Sequence, residues 1–245
     1  SAEPRTLVKH LMKSSRDNLQ DLTLIQLVSL GDAISLEELQ VQKYRLKTFF
    51  SGWIVSEAIT EGRVDLVPSR FSRVPRLMAT GQIPIDAAFI QITPPDSAGY
   101  SSLGIGLDVA RQAMDRASIV VGEVNPNVPR TFGDTNVHIS DFDFFVSSKE
   151  PLYYFSRWPL GEVFEAVAAN VASAIEDGDC LAFSLGPLYE GLAKQLTTKK
   201  HLGIHSPFFT DPLMDLVKSG AVTNRKKEVF RGKSLVSYAI GSKKL

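Results

Sequence analysis

Cysteine occurs once, at Cys180, so no internal disulfide can staple this chain. Histidine is nearly as scarce: His10, His138, His201 and His205 are scattered, and with a single cysteine they offer no metal-ligand spacing. No charge sign dominates either. Lys+Arg 27 against Asp+Glu 27 gives a net charge of zero. A chain dedicated to nucleic acid usually carries a basic excess, so that class is disfavoured. No apolar stretch approaches the roughly 18 residues that span a bilayer, and no charged-then-apolar leader opens the sequence. The expectation is a soluble, cytoplasmic protein with no membrane partner. What is present is ordinary: 245 residues, 44% hydrophobic and 22% charged, with a mean hydropathy of zero. That composition excludes disordered and collagen-like classes and suits one large domain or two small ones.

Short apolar runs alternate with longer stretches of helical period. The runs Leu22–Leu30, Ala87–Ile92, Ser118–Val124, Cys180–Leu185 and Ser234–Ile240 read as strands. Several are apolar on both faces, as parallel strands buried under helices should be. Helices are expected over Pro4–Asn18, Trp53–Thr60, Val74–Ala79, Asp108–Ala117, Pro159–Ile175, Pro187–Leu196 and Pro212–Ser219. Pro4 and Pro75 suit a first turn, and Gly62, Gly81 and Gly178 suit the stops. Strands alternating with helices imply an α/β fold with a mostly parallel sheet. Such sheets bind ligands beyond the carboxyl ends of their strands, so chemistry is sought in the loops that follow strands.

Four loops stand out. Thr93–Asp108 (TPPDSAGYSSLGIGLD) reads either as a ligand-facing loop with free backbone N–H groups or as a turn-rich crossover. In Glu123–Asp134 (EVNPNVPRTFGD), Arg130 offers a planar fork for a carboxylate or phosphate, or else pairs with Asp134 while Asn125 and Asn127 cap turns. Ser184–Tyr189 (SLGPLY) runs from a strand into a helix whose N-terminus favours an anion or oxyanion, although one glycine is a weak signal. Leu202–Pro207 (LGIHSP) places His205 beside Ser206, but no G-x-S-x-G elbow supports a serine hydrolase. Gly104-Ile105-Gly106 lacks the third glycine of a dinucleotide fingerprint.

Taken together, the strings FFSGWIVSEAITEGRVDLVP, PIDAAFIQITPPDSAGYSSLGIGLD, EVNPNVPRTFGDTNVHISDFD and LGIHSPFFTDPLMDLVKSGAVTN, closing with GSKKL, resemble the acetyl-CoA hydrolase/CoA-transferase family. The resemblance implies a NagB/RpiA/CoA-transferase-like α/β fold, an open and mostly parallel sheet flanked by helices. It implies a coenzyme A thioester as substrate and no covalently bound cofactor. In such enzymes a glutamate carboxylate attacks the acyl-CoA thioester, giving an acyl-glutamyl anhydride and CoA thiolate. A glutamyl-CoA thioester follows and passes CoA to a small carboxylate, or to water in a hydrolase. The contacts implied for substrate and CoA are Pro95, Gly99, Asn125, Asn127, Arg130, Gly133, Ser184, Gly186, Leu188 and His205.

This sequence departs from the family pattern in three places. The opening SAEP resembles the end of a glycine-rich turn, so the family's first strand is expected to be missing. The second glycine loop, usually Q-x-G-I-G-x-x-P, reads Ala182-Phe183-Ser184-Leu185-Gly186-Pro187-Leu188-Tyr189. The family's nucleophilic glutamate is expected in a second domain beyond Leu245, and the glutamate after its His-Ser/Thr pair is replaced by Pro207. Glu123, Glu162 and Glu190 lie outside any nucleophile context and read as solvated or capping residues. The expectation is a single CoA-transferase-like N-terminal domain over residues 1–245, itself without a catalytic residue. Its implied partners are acyl-CoA, a small carboxylate, and a C-terminal catalytic domain or partner subunit, with a homodimer also compatible. The alternative is a non-catalytic CoA-thioester-binding or scaffold module.

Overall fold

The computed structural model describes residues 3–15, 21–27, 44–51 and 56–245. The chain divides into two compact units, Ser1–Tyr153 and Tyr154–Leu245.

Among its described residues the first unit holds two parallel three-stranded sheets and one antiparallel pair. Its helix α1 (Arg5–Lys13) packs Met12 against Leu46 and Val64, from the sheet of β1 (Thr23–Gln26), β2 (Arg45–Thr48) and β3 (Val64–Leu66). Ala58 of the short α2 (Ser56–Thr60) closes that core. The strand expected over Leu22–Leu30 and the helices expected over Pro4–Asn18 and Trp53–Thr60 fall partly outside the described residues. After α3 (Val74–Ala79) comes the second sheet, in the order β4 (Ala87–Ile92), β6 (Ile119–Val124), β8 (Phe144–Ser147). Its register pairs Ile90 with Gly122 and Val121 with Phe144. Helix α4 (Ala110–Arg116) is the crossover between β4 and β6, and Ala110 packs with Ile90, Ile92, Leu103 and Val120.

The loop Thr93–Gly106 contains a strand that sequence pattern misses. β5 (Tyr100–Ser102) pairs antiparallel with β7 (Asn136–His138). Three polar or aromatic residues between Gly99 and Leu103 carry no alternation that would reveal it.

The second unit is a parallel sheet in the order β11 (Leu235–Ala239), β10 (Gly203–Phe209), β9 (Cys180–Leu181), with helices α5 (Glu162–Ser173), α6 (Pro187–Leu196) and α7 (Asp211–Lys218). Its core joins Leu181 and Ile204 from the sheet to Ala168, Leu196, Leu213 and Leu216 from the helices. Where α5 meets α6, a Cβ on Gly191 would lie 2.8 Å from the Ala168 methyl, so only glycine lets the two backbones approach this closely. The strand expected over Cys180–Leu185 ends at Leu181. Beyond it the ladder passes through a side chain: Ser206 Oγ accepts from Phe183 N at 3.0 Å and donates to Phe183 O at 2.9 Å. The fourth loop proves to be the main strand of this sheet. Pro207 lies inside β10, and pairing to β11 resumes at Phe208. The architecture is α/β with mostly parallel sheets, as the alternation of strands and helices implies.

Candidate functional site

In the first unit β4, β6 and β8 run parallel, so the segments after Ile92, Val124 and Ser147 leave the same carboxyl edge. Side-chain hydrogen bonds tie these segments together. Asn125 is fully buried. Its Nδ2 donates to Gln91 Oε1 at 2.6 Å and to the Glu150 carbonyl at 2.8 Å, and its Oδ1 accepts from Asn127 N at 3.0 Å. Asn127 Nδ2 donates to the carbonyls of Lys149 and Glu150. The two asparagines are cross-braces between the β6 and β8 loops, and Asn125 has no donor left for a ligand.

Arg130 joins this loop to the one after β4. Its Nη2 donates to the carbonyls of Tyr100 at 2.8 Å and Pro94 at 3.2 Å, and its Nη1 stands 3.5 Å from Asp96 Oδ2. Asp134, the partner weighed for Arg130 on sequence, lies 3.5 Å from Arg111 instead. Asp96 Oδ1 accepts from the backbone N–H of Tyr100 and of Ala98. The Tyr100 bond is the main reason the Asp96 carboxyl is held below the usual range, with Ala98, Arg130 and His138 adding to it. Beside Arg130, Thr131 Oγ1 donates to the Gly104 carbonyl at 2.7 Å, and Ser102 Oγ accepts from Thr131 N and Gly104 N. A Cβ on Gly104 would collide with Val128.

Across residues 98–100 and 102–104 the first loop does not leave its N–H groups free, which favours the turn-rich reading of that stretch. Ala98, Gly99 and Tyr100 all spend theirs on Asp96. Among the described residues, the amides of Phe132, Gly133 and Asp134 have no acceptor, and Phe132 is 91% exposed. Gly133 sits at φ +97° and Gly99 at φ +83°. At Gly99 a Cβ would come within 2.7 Å of His138 Nε2. Pro95 is exposed at the tip of the first loop. So hydrogen bonds tie together the loops that carry Pro95, Gly99, Asn127, Arg130 and Gly133, with Asn125 buried as one of the braces.

Helix α1 starts at the same edge. Buried Glu123 accepts from Leu7 N through Oε2 at 2.9 Å, while its Oε1 is buried without a partner. Gln91 Nε2 donates to the Glu3 carbonyl, the Thr6 and Ser148 hydroxyls share a hydrogen bond, and Lys9 Nζ pairs with Glu150 at 2.9 Å. The Lys9 bond, with Arg5 nearby, lowers the Glu150 carboxyl. The capping role read for Glu123 is right, but it acts across the fold. Nothing in the sequence linked residue 123 to residue 7.

In the second unit, Ser184 and Gly186 lie in the turn from β9 to α6, and Leu188 lies in the first turn of that helix. Gly186 has φ +133°, and no side chain caps α6. The amides of Ser184, Leu185 and Gly186 have no acceptor among the described residues. The β9–β10 register, Gly203 to Cys180 and Ile204 to Leu181, carried on through Ser206 and Phe183, sets Pro207 level with Ser184. His205 is exposed two residues before Pro207 on the same strand. The position where the resembled family has a glutamate therefore stands beside the turn, without a carboxylate.

Glu190 is neither solvated nor a cap. It is buried, and Arg157 clamps it, with Nη2 at 2.6 Å and Nη1 at 2.7 Å from Asp215 on α7. These bonds, Glu190 first, raise the Arg157 guanidinium further above its ordinary range. Asp211 accepts from both N and Oγ of Ser242, which fixes the GSKKL segment on α7. The described residues contain no group of three side chains able to hold a metal ion, and no helix long and apolar enough to cross a membrane.

Residues 1–154 match the family model described as the acetyl-CoA hydrolase/transferase N-terminal domain. The chain is 38% identical over 243 residues to the 4-hydroxybutyrate coenzyme A transferase of Clostridium kluyveri, covering 99% of this chain and 56% of that protein. It is 32% identical to the succinyl-CoA:acetate/propanoyl-CoA:succinate CoA transferase of Fasciola hepatica, covering 100% of this chain and 51% of that one. Among solved structures, RipA from Yersinia pestis superposes with a TM-score of 0.91 at 29% identity, over 99% of this chain and 59% of that one. The chain thus spans about half the length of the curated relatives it matches.

Proposed function

The chain belongs to the acetyl-CoA hydrolase/transferase N-terminal domain family, and we propose that it is the part of an acyl-CoA:carboxylate CoA-transferase or hydrolase that binds the CoA thioester and the small acid. The observation that supports this most is the set of tied loops on the first unit. Arg130, Asn125 and Asn127 lock the loops after β4, β6 and β8 into one surface and leave the amides of residues 132–134 as donors. A donor fixed before substrate arrives costs no reorganisation when an oxyanion forms. Ser184–Gly186 supply a second set of unspent amides at the start of α6, where the helix dipole also favours negative charge.

The attacking carboxylate comes from outside residues 1–245. Glu123 and Glu190 are committed to Leu7 N and Arg157. In the transfer, the external glutamate would expel CoA thiolate from the thioester and form the anhydride. The thiolate would then return to the glutamyl carbonyl and release the acid, and a second carboxylate would reverse the steps.

The experiment is turnover by a polypeptide that carries this chain and the glutamate-bearing domain, with acetyl-CoA plus acetate or succinate. Borohydride should trap the glutamyl-CoA thioester. The 245-residue chain alone should bind CoA by calorimetry and turn nothing over. The second reading, a module that binds a CoA thioester without transferring it, is favoured by Pro207 standing level with Ser184. CoA binding with no turnover by the longer polypeptide would select it. Absence of CoA binding by either protein would end both readings.

A further inference from the structure

Helix α5 is exposed at ten of its twelve positions; only Ala168 and Ala172 are buried. Its sequence, EVFEAVAANVAS, carries charge only at Glu162 and Glu165 in the first turn. Val163, Val167 and Val171, spaced i, i+4 and i+8, form one stripe and are 73%, 42% and 39% exposed. Phe164 is 42% exposed beside it. A helix apolar on nearly every side is ordinarily buried, and contiguous apolar surface of this kind marks an interaction site. The layer is open in a second respect as well. β11 stands at the edge of its three-stranded parallel sheet with no partner on its far side among the described residues, whereas parallel sheets are ordinarily covered and paired.

We infer that the valine stripe of α5 is the docking face for a protein domain corresponding to the part of the curated relatives that this chain does not span. Three observations choose this occupant. The relatives carry a further stretch comparable to their matched half, since the match covers 56% and 51% of their lengths. A lipid surface is disfavoured because α5 has no lysine or arginine, the residues that hold an amphipathic helix to anionic headgroups. A second copy meeting through α5 alone would meet over a strip roughly 18 Å by 10 Å, about 400 Å² buried in total and well short of the roughly 1,200–2,000 Å² that a stable pair buries. A domain covalently joined to the chain needs less area, because the link itself supplies a high effective concentration. The inference rests on the proposed function for its choice of partner.

The test joins the unspanned portion of the Clostridium kluyveri transferase to the end of this chain and compares amide exchange over residues 162–173 with that of the chain alone. Docking predicts at least about tenfold slower exchange in the joined protein. Val167→Lys should abolish that gain, whereas Ala169→Lys, on the side of α5 away from the valines, should leave it. Both positions are exposed, so neither substitution threatens folding. Unchanged exchange overturns the assignment. So does a gain indifferent to Val167→Lys, or a dimer of the chain alone that Val167→Lys dissolves. Calorimetry with CoA on the same proteins separates the two claims. Protection without CoA binding sinks the functional reading only, and CoA binding without protection sinks the docking face only.

Discussion

Asn125 shows how a residue chosen for its chemistry can serve the frame instead. A side chain with two donors and an acceptor suits a ligand, but here every one of those groups is spent inside the fold. Asn125→Ala leaves Gln91 Oε1 buried without this donor and should cost about 2–3 kcal/mol in urea denaturation. Asn127→Ala, at an exposed site, should cost under about 1 kcal/mol. Arg130 differs because its fork already spans two carbonyls and a carboxylate while the residue stays exposed. Its partner Asp96 has a folded pKa below the ordinary one, Tyr100 N–H being the main cause. A depressed carboxylate contributes stability above its unfolded pKa and loses it as pH falls through the folded value. Denaturation midpoints should therefore drop below about pH 4, and Asp96→Asn should flatten that part of the profile. A profile unchanged by the substitution would refute the role given to Asp96.

At the scale of elements, the junction of β9 and β10 is where local pattern and structure part. Pro207 in Leu202–Pro207 reads as a loop because proline removes a ladder donor. The chain nonetheless continues as a strand, because Ser206 Oγ replaces the lost backbone link by serving both polar groups of Phe183. Ser206→Ala leaves the Phe183 N–H and carbonyl without that partner in a buried place. A loss of about 1–3 kcal/mol is expected, with faster amide exchange at Phe183. Helices bounded by their own punctuation came out at the residue: Val74–Ala79 and Pro187–Leu196 each have proline in the first turn. Those signals act within one turn of chain, so they are legible without the rest of the molecule. The pair β5 and β7 was not legible, since its stability comes from a strand 34 or more residues away.

The described residues form three buried apolar clusters, two drawn from residues 1–153 and one from 154–245. Each unit therefore has a core of its own, and thermal unfolding should resolve two transitions by calorimetry. Leu196→Ala, at a fully buried site in the second unit, should destabilise by about 2–5 kcal/mol. It should shift one transition and leave the other in place. A single transition moved as a whole would show the units to be one cooperative body.

The sequence alone determined the α/β class, through strands and helices that alternate in apolar period, and it determined the family, through strings such as PPDSAGYSSLG and NPNVPRTFGD. Both are written in neighbouring residues. Only the tertiary structure decided what those residues bond to: Arg130 with the Tyr100 and Pro94 carbonyls instead of Asp134, Glu123 with the start of a helix 116 residues away, and Glu190 with Arg157. Hydrogen bonds depend on angstroms and direction, and a polar side chain on a loop has several reachable partners until packing removes all but one set. The same holds for α5, whose apolar character is plain in the sequence but whose lack of cover becomes visible only once the rest of the unit is folded around it.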